Sequence, residues 1–190
     1  MSLLNVAVWG LGHHAQNRIL PALSAMDEIK LIGVCSRNGE VVETCAQQWD
    51  CYGWNDPEQM LNSTKVDVVY IATPIGVHFS LAKQALKAGK HVWCEKPLTC
   101  SYADTKILVS LAEKKEKVLT ESFMYLYHPQ FQRVKKFVDD SKGVYSVICR
   151  FGIPTLDKPG FRNNSELCGG ALWDVATYTT SALLSLFPNQ

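Results

Sequence analysis

The chain has 190 residues, enough to bury a substantial core in one large domain or in one domain and part of another. Its 19 basic and 18 acidic side chains leave a formal charge of +1, which offers no general attraction to nucleic acid or to an anionic membrane, so neither is an expected partner. No apolar run reaches the ~18 residues of a spanning helix and the N-terminus lacks the basic-then-apolar pattern of a secretory signal, so a cytoplasmic location is expected.

Val6 to Trp9 is an apolar run of strand length, followed at once by Gly10-x-Gly12-x-x-Ala15 and a helix through Ile19. In that order each small residue has a task. Gly10 allows a tight turn, Gly12 lets the backbone approach a pyrophosphate, and Ala15 lets helix and strand pack closely while N–H groups of the first turn face the negative charge. Pro21 marks a kink or a late break in that helix. Ile29 to Cys35 reads as a second strand ending in Ser36-Arg37-Asn38, a little over ~20 residues beyond the glycines, where an NAD site usually places Asp or Glu on the ribose 2′-hydroxyl. That carboxylate is missing. Ser36 can donate a hydrogen bond and Arg37 can pair with a 2′-phosphate, so NADP is favoured over NAD.

Val41 to Trp49 follows as a helix, Tyr52 to Trp54 as a short link, and Asp56 before Pro57 caps a brief helix ending near Leu61. Val66 to Thr73 reads as a buried strand stopped by Thr73-Pro74, and His78 to Ala88 as a helix with Gly89 past its end. His91 to Cys94 is the next strand, delivering Glu95-Lys96-Pro97 to its carboxyl end, where ligands gather in open parallel sheets. Ser101 with Asp104 caps a long helix whose apolar face is Ile107, Leu108, Leu111 and Ala112, and Val118 to Glu121 closes a six-stranded, doubly wound parallel sheet. Beyond Ser122 the character changes. Pro129 starts a helix, Val144 to Ile153 alternates as the first strand of a different sheet, Pro154 to Ser165 is a loop, and Gly169-Gly170-Ala171-Leu172-Trp173-Asp174 leads into a helix to about Leu186.

Seven cysteines, at positions 35, 45, 51, 94, 100, 149 and 168, include no Cys-x-x-Cys pair and read as small core residues of a reducing compartment, neither disulfides nor zinc ligands. His13-His14 is the sole histidine pair, and adjacent residues rarely face one ion, so no metal site is expected. One of the two is expected near a cofactor and the other near solvent.

Taken together, Gly10-x-Gly12-x-x-Ala15, Ser36-Arg37, Ile71-Ala72-Thr73-Pro74 with His78, Gly89-Lys90-His91-Val92 running into Glu95-Lys96-Pro97, His128-Pro129, and Gly169-Gly170-Ala171-Leu172-x-Asp174-x-x-x-Tyr178 give a chain that resembles the glucose-fructose oxidoreductase / inositol dehydrogenase / rhizopine-catabolism (Gfo/Idh/MocA) family of NAD(P)-dependent oxidoreductases. The resemblance covers essentially the whole chain. It implies an α/β fold, a Rossmann doubly wound parallel sheet over residues 1–122 followed by the beginning of an α+β substrate and oligomerisation domain over 123–190. It also implies a nicotinamide coenzyme, NADP with NAD as the alternative, contacting Gly10, Leu11, Gly12, His13, His14, Ser36, Arg37, Thr73, Pro74, His78, Glu95 and Lys96, and a small sugar-like, polyol, keto or diol substrate.

Three residues match the family's chemistry. Lys96 can polarise a substrate oxygen, and Asp174 and Tyr178, four apart on a helix, share a face. Many members carry His where this chain has Tyr178. A phenol with pKa of about 10 is a poor base unless a cation favours its phenolate, and Lys96 is the candidate cation. Tyr178 is then the proton donor or acceptor, Lys96 tunes it and Asp174 orients substrate or partner.

Two departures stand out. The family often has Arg where Leu126 stands, a contact that Arg162 is a candidate to supply. Family members also continue beyond the equivalent of Phe187-Pro188-Asn189-Gln190 to build a large antiparallel sheet through which they pair, so a truncated second domain is expected, with a homo-oligomer as the family's habit. The competing reading is a non-catalytic NADP-binding or interaction module. A methyltransferase-like reading ranks last, because it lacks an acidic residue after the second strand and gives Glu95-Lys96-Pro97 no role.

Overall fold

Alternation of side chains along the strands sets the architecture of the first unit. In the computed structural model, which describes residues 3–141, 143–144, 146–157 and 160–188, strand β1 (Leu4–Trp9) sends Val6 and Val8 into one buried cluster and Ala7 and Trp9 into another. β4 (Val68–Ile71) does the same with Val68 and Tyr70 against Val69 and Ile71, so both faces of the sheet are covered. One cover is the helical stretch after β1, ending in α1 (Leu20–Ser24), together with α2 (Gly39–Gln48), which contribute Leu20, Leu23, Val42 and Cys45. The other is α3 (Pro57–Asn62), α4 (His78–Lys87) and α5 (Tyr102–Lys114), contributing Met60, Ala82, Ala85, Leu86 and Leu108.

The remaining strands are β2 (Ile29–Cys35), β3 (Tyr52–Trp54), β5 (His91–Glu95) and β6 (Leu119–Ser122). They lie in the order β3-β2-β1-β4-β5-β6, with parallel pairing of β1 to β2, β1 to β4, β2 to β3 and β4 to β5. This is the doubly wound sheet expected from the sequence. The chain reverses its direction of winding between β1 and β4, which opens a crevice at their carboxyl ends.

Tyr52 to Trp54, read from the sequence as a link, is the sheet's edge strand. Its three residues are too few to show a period, and its register is fixed by β2, Gly33 opposite Tyr52 and Cys35 opposite Trp54. Caps fall where the sequence places them. Asp56 Oδ1 accepts from Glu58 N–H at 2.9 Å, Ser101 Oγ from Asp104 N–H at 3.1 Å, and Gly89 follows α4 at φ +75°.

Five cysteines (35, 45, 51, 94 and 149) are free, and burial pushes the Cys35 thiol up to about 12, as suits an inert core residue. The expectation of free thiols does not hold for Cys100 and Cys168. No helix among the described residues is long and apolar enough to cross a membrane, and no group of three or more metal-ligating side chains occurs among them.

The chain divides into two compact units, Met1–Glu121 and Ser122–Gln190. The second contains α6 (Pro129–Asp139), opened by His128, whose Nδ1 accepts from Gln130 N–H at 3.1 Å, and α7 (Thr177–Leu186). The strand expected over Val144 to Ile153 does not form in the described part of that stretch. A strand exists through its ladder, and alternation alone supplies no partner backbone. Tyr145, and Lys158 and Pro159 of the following loop, lie outside the described residues. The loop's described end carries short 3₁₀ turns at Gly160–Asn163 and Ser165–Leu167.

Candidate functional site

The glycine turn sits where β1 meets its neighbours, Gly10 N–H donating to Cys35 O at 2.9 Å and Ala72 N–H to Trp9 O at 2.9 Å. Gly10 has φ +104°, and a Cβ there would lie 2.7 Å from Thr73 Cγ2 and 2.9 Å from the Ala72 carbonyl carbon. Gly12 differs: a Cβ would meet nothing within 4 Å, so its backbone faces open space. The two glycines therefore divide the work, one closing the turn against β4 and the other keeping the crevice clear.

Leu11 and Ala15 are buried, whereas His13 and His14 are exposed. The helix after the turn is already α-helical at His13 and His14, passes through a π-helical turn at Ala15–Ile19 and is α-helical again from Leu20, with Pro21 following at once. Pro21 lacks an N–H, so the change of winding coincides with the residue that cannot join the ladder.

At the end of β2, Ser36 is half-buried and Arg37 exposed, two residues beyond the Cys35 that holds the glycine turn. Ser36 Oγ accepts from Asn38 N–H at 3.3 Å, and Asn38 caps α2 through Val41 N–H at 3.3 Å. At the end of β4, Thr73 Oγ1 is a buried hydroxyl with no hydrogen-bond partner among the described residues. Pro74 is exposed beside it.

His78 opens α4 and is 1% exposed. Its Nδ1 lies 2.8 Å from Pro97 O and its Nε2 2.9 Å from Thr73 O, so it ties the turn after β4 to the turn after β5. Burial holds its ring below the usual histidine value, outweighing the two carbonyls, which favour the protonated form. Stability is therefore expected to be complete above the ordinary value of 6.5 and to decline as pH falls below it, because the unfolded chain takes up a proton the buried ring resists. Urea unfolding midpoints between about pH 5 and 8 check this, and His78→Gln is expected to flatten the slope.

Glu95 ends β5, 8% exposed. His14 Nε2 lies 3.2 Å from its Oε1, Tyr70 OH donates to the same oxygen at 2.5 Å, and Lys96 N–H donates to Oε2 at 3.3 Å. Burial alone would raise this carboxyl, but the hydrogen bonds from His14 and Tyr70 and the charge of His14 bring it below the usual range. Lys96 follows, half-buried. On β6, Glu121 Oε1 accepts from Leu98 N–H at 2.8 Å, and burial raises its carboxyl against the opposing influence of that N–H and of Lys96.

Sequence reasoning passed over Tyr70 and Glu121. Tyr70 stands inside an apolar strand and could have been found as the one hydroxyl in Val-Val-Tyr-Ile; Glu121 ends a strand with a charge, as Glu95 does.

In the second unit Asp174 is 7% exposed and accepts from Arg162 Nε at 2.6 Å, so the arginine weighed as a stand-in for Leu126 has an acidic partner. Asp174 sits in a π-helical turn, Leu172–Ala176, and Tyr178 in α7, so they do not occupy one regular α-helical face. The Tyr178 ring stacks on Phe151, centroids 5.0 Å apart at 10°, and meets Phe123 and Tyr125 edge-on. Within the first unit, an open cleft of about 580 Å³ at the amino ends of the strands, lined by Lys30, Tyr52 and Lys65 among others, shares no lining residue with the crevice at their carboxyl ends.

A family model described as "Oxidoreductase family, NAD-binding Rossmann fold" matches residues 4–123. A dTDP-3,4-didehydro-2,6-dideoxy-alpha-D-glucose 3-reductase from Streptomyces violaceoruber is 34% identical over 177 residues, 92% of this chain and 52% of the relative. The scyllo-inositol 2-dehydrogenase (NADP(+)) of Bacillus subtilis is 27% identical, over 90% of this chain and 55% of its own length. Among solved structures, a 3-ketoreductase from Actinomadura kijaniata in complex with NADP and TDP-benzene superposes with a TM-score of 0.88 at 29% identity, covering 98% of this chain and 58% of that one. An aldose-aldose oxidoreductase from Caulobacter crescentus gives 0.91 at 26% identity, with the same two coverages, 98% and 58%. The chain thus spans a little over half the length of the relatives it matches.

Proposed function

The chain belongs to the Gfo/Idh/MocA oxidoreductase family, and from that premise we propose that it is an NAD(P)-dependent oxidoreductase, NADP favoured, acting between a CH–OH and a C=O carbon of a sugar-like, polyol or diol substrate. The observation that carries the reading is the crevice after β1 and β4. There Gly12 leaves open space and the Thr73 hydroxyl is buried without a partner among the described residues, a donor set that fits a dinucleotide's phosphates and ribose. When bound, the nicotinamide supplies the hydride or accepts it.

The chain's own residues bind, orient and move protons. Gly10 and Gly12 shape the turn, with Leu11, His13 and His14 alongside, and Thr73, Pro74 and Glu95 border the crevice. Ser36 and Arg37 take the ribose 2′-phosphate. Lys96 polarises a substrate oxygen, Tyr178 exchanges the proton, and Asp174, held by Arg162, orients. The first unit is assigned to coenzyme and the second to substrate and assembly. A sugar-like substrate is supported by the relatives, one named for reducing a dTDP-linked keto sugar and another for oxidising scyllo-inositol.

Titration with NADPH and NADH, followed by tryptophan fluorescence, and then turnover with sugars, keto-sugars and diols tests the reading; failure of both coenzymes to bind would overturn it. Arg37→Glu is expected to weaken NADPH about ten- to a hundredfold while leaving NADH nearly unchanged, since only the former offers the 2′-phosphate. Tighter binding of NADH to the unaltered chain would defeat the assignment of Ser36 and Arg37. Coenzyme binding without turnover on any of the panel would select the non-catalytic alternative.

A further inference from the structure

β1 and β5 are not neighbours, because β4 lies between them. Their two turns are nevertheless joined: His14, from the helix after the glycine turn, reaches over the end of β4 to Glu95 at 3.2 Å. β4 itself supplies the third member from within the sheet. Tyr70, 2% exposed and packed on Trp93 with ring centroids 5.0 Å apart, puts its hydroxyl on the same carboxylate oxygen at 2.5 Å.

A carboxylate this buried is costly unless it is well solvated by donors, and the phenol is the closer of the two donors on Oε1. His14, whose hydrogen bond and charge also favour the ionised form, has a half-exposed side chain, whereas the phenol is buried. Glu95 faces His14 from the helix after the glycine turn, Tyr70 from β4, His78 from α4, Cys94 on its own strand and Lys96 from the turn after it. Of these, Tyr70 belongs to an element wholly buried in the sheet and is the least able to move.

We propose that Tyr70 is a positioning residue: its hydroxyl fixes the Glu95 carboxylate, and through His14 this locks the glycine turn to the Glu95-Lys96-Pro97 turn, so that the coenzyme crevice is shaped before the coenzyme arrives. The inference rests on the coenzyme reading of that crevice. Its physical content is preorganisation, in which ordering done by the fold need not be done on binding.

Tyr70→Phe tests it, because phenylalanine keeps the ring on Trp93 and removes only the hydroxyl. NADPH is expected to bind about tenfold more weakly, the effect of removing one hydrogen bond to a charged group. The Glu95 carboxyl, followed by carbon NMR of labelled glutamate and assigned with Glu95→Gln, is expected to titrate at higher pH than in the unaltered chain. His14→Asn, at an exposed site that spares the core, is expected to move the same titration upward and serves as the second variant if Tyr70→Phe does not fold. An unchanged Glu95 titration in either folded variant, even with a lowered unfolding midpoint, overturns the proposal. NADPH failing to bind the unaltered chain would defeat the functional reading, while the Glu95 titration would still decide the role of Tyr70.

Discussion

Gly10→Ala is expected to cost about 2–4 kcal/mol of stability, from a backbone conformation alanine rarely adopts and from overpacking against β4. The site is strained whatever the space, at φ +104°, and the added methyl would also sit 2.7 Å from Thr73 Cγ2 and 2.9 Å from the Ala72 carbonyl carbon. Thr73 belongs to the turn that His78 clamps through its carbonyl, so the neighbour has little freedom to yield. Gly12→Ala separates folding from binding. Nothing lies within 4 Å of its added methyl, so the unfolding midpoint should stay near that of the unaltered chain while the methyl intrudes on the coenzyme's path. NADPH affinity is expected to fall by at least about tenfold, the order of effect when close backbone approach is blocked and a phosphate loses its charge-assisted hydrogen bonds. Denaturant unfolding and fluorescence titration of both variants check the pair. Equal stability of the two would refute the division of labour between the glycines.

Tyr178→Phe carries the second large effect. Loss of a proton-transferring group lowers turnover by about 10²–10⁴-fold. The ring's stacking on Phe151 and its edge contacts with Phe123 and Tyr125 survive the change, so secondary structure and the unfolding midpoint should persist. Lys96→Met should reduce turnover in the same range while retaining a similar side-chain length. The check is kcat on whichever substrate of the panel turns over, measured with saturating NADPH. Unimpaired kcat in Tyr178→Phe would remove the phenol from the chemistry.

How much of this was legible in the sequence differs by element, for physical reasons. β2 was read at its observed limits, Ile29–Cys35, because its apolar run is bounded by polar residues on both sides. Capping residues announced the starts of α3 and α5, since a side chain that satisfies an N–H two or three positions on is a local matter, and Pro129 announced that of α6. What failed was non-local. β3 is a strand because β2 is beside it, and Val144 to Ile153 alternates yet has no ladder in its described residues. The π-helical turns at Ala15–Ile19 and Leu172–Ala176 have no periodic signature distinct from an α-helix in so short a span. At the site, the sequence offered the residues of each turn but not their cross-links. Nothing in the spacing of Tyr70, His14 and Glu95 says that a helix residue and a strand residue meet on one oxygen of the Glu95 carboxylate.

The strand order has a consequence for the nascent chain. β1 can pair with β2 once Ile29 has left the ribosome, but its other edge waits for Val68, and the β5 end follows only with His91. The pairings that frame the crevice are thus the long-range ones, closed after the nearer strand-helix-strand units have formed and at the greatest loop-closure cost. During synthesis one edge of β1 stays open for the time needed to make some sixty residues, at the typical pace of about 5–20 residues per second a delay of seconds in which a chaperone has a backbone edge to guard.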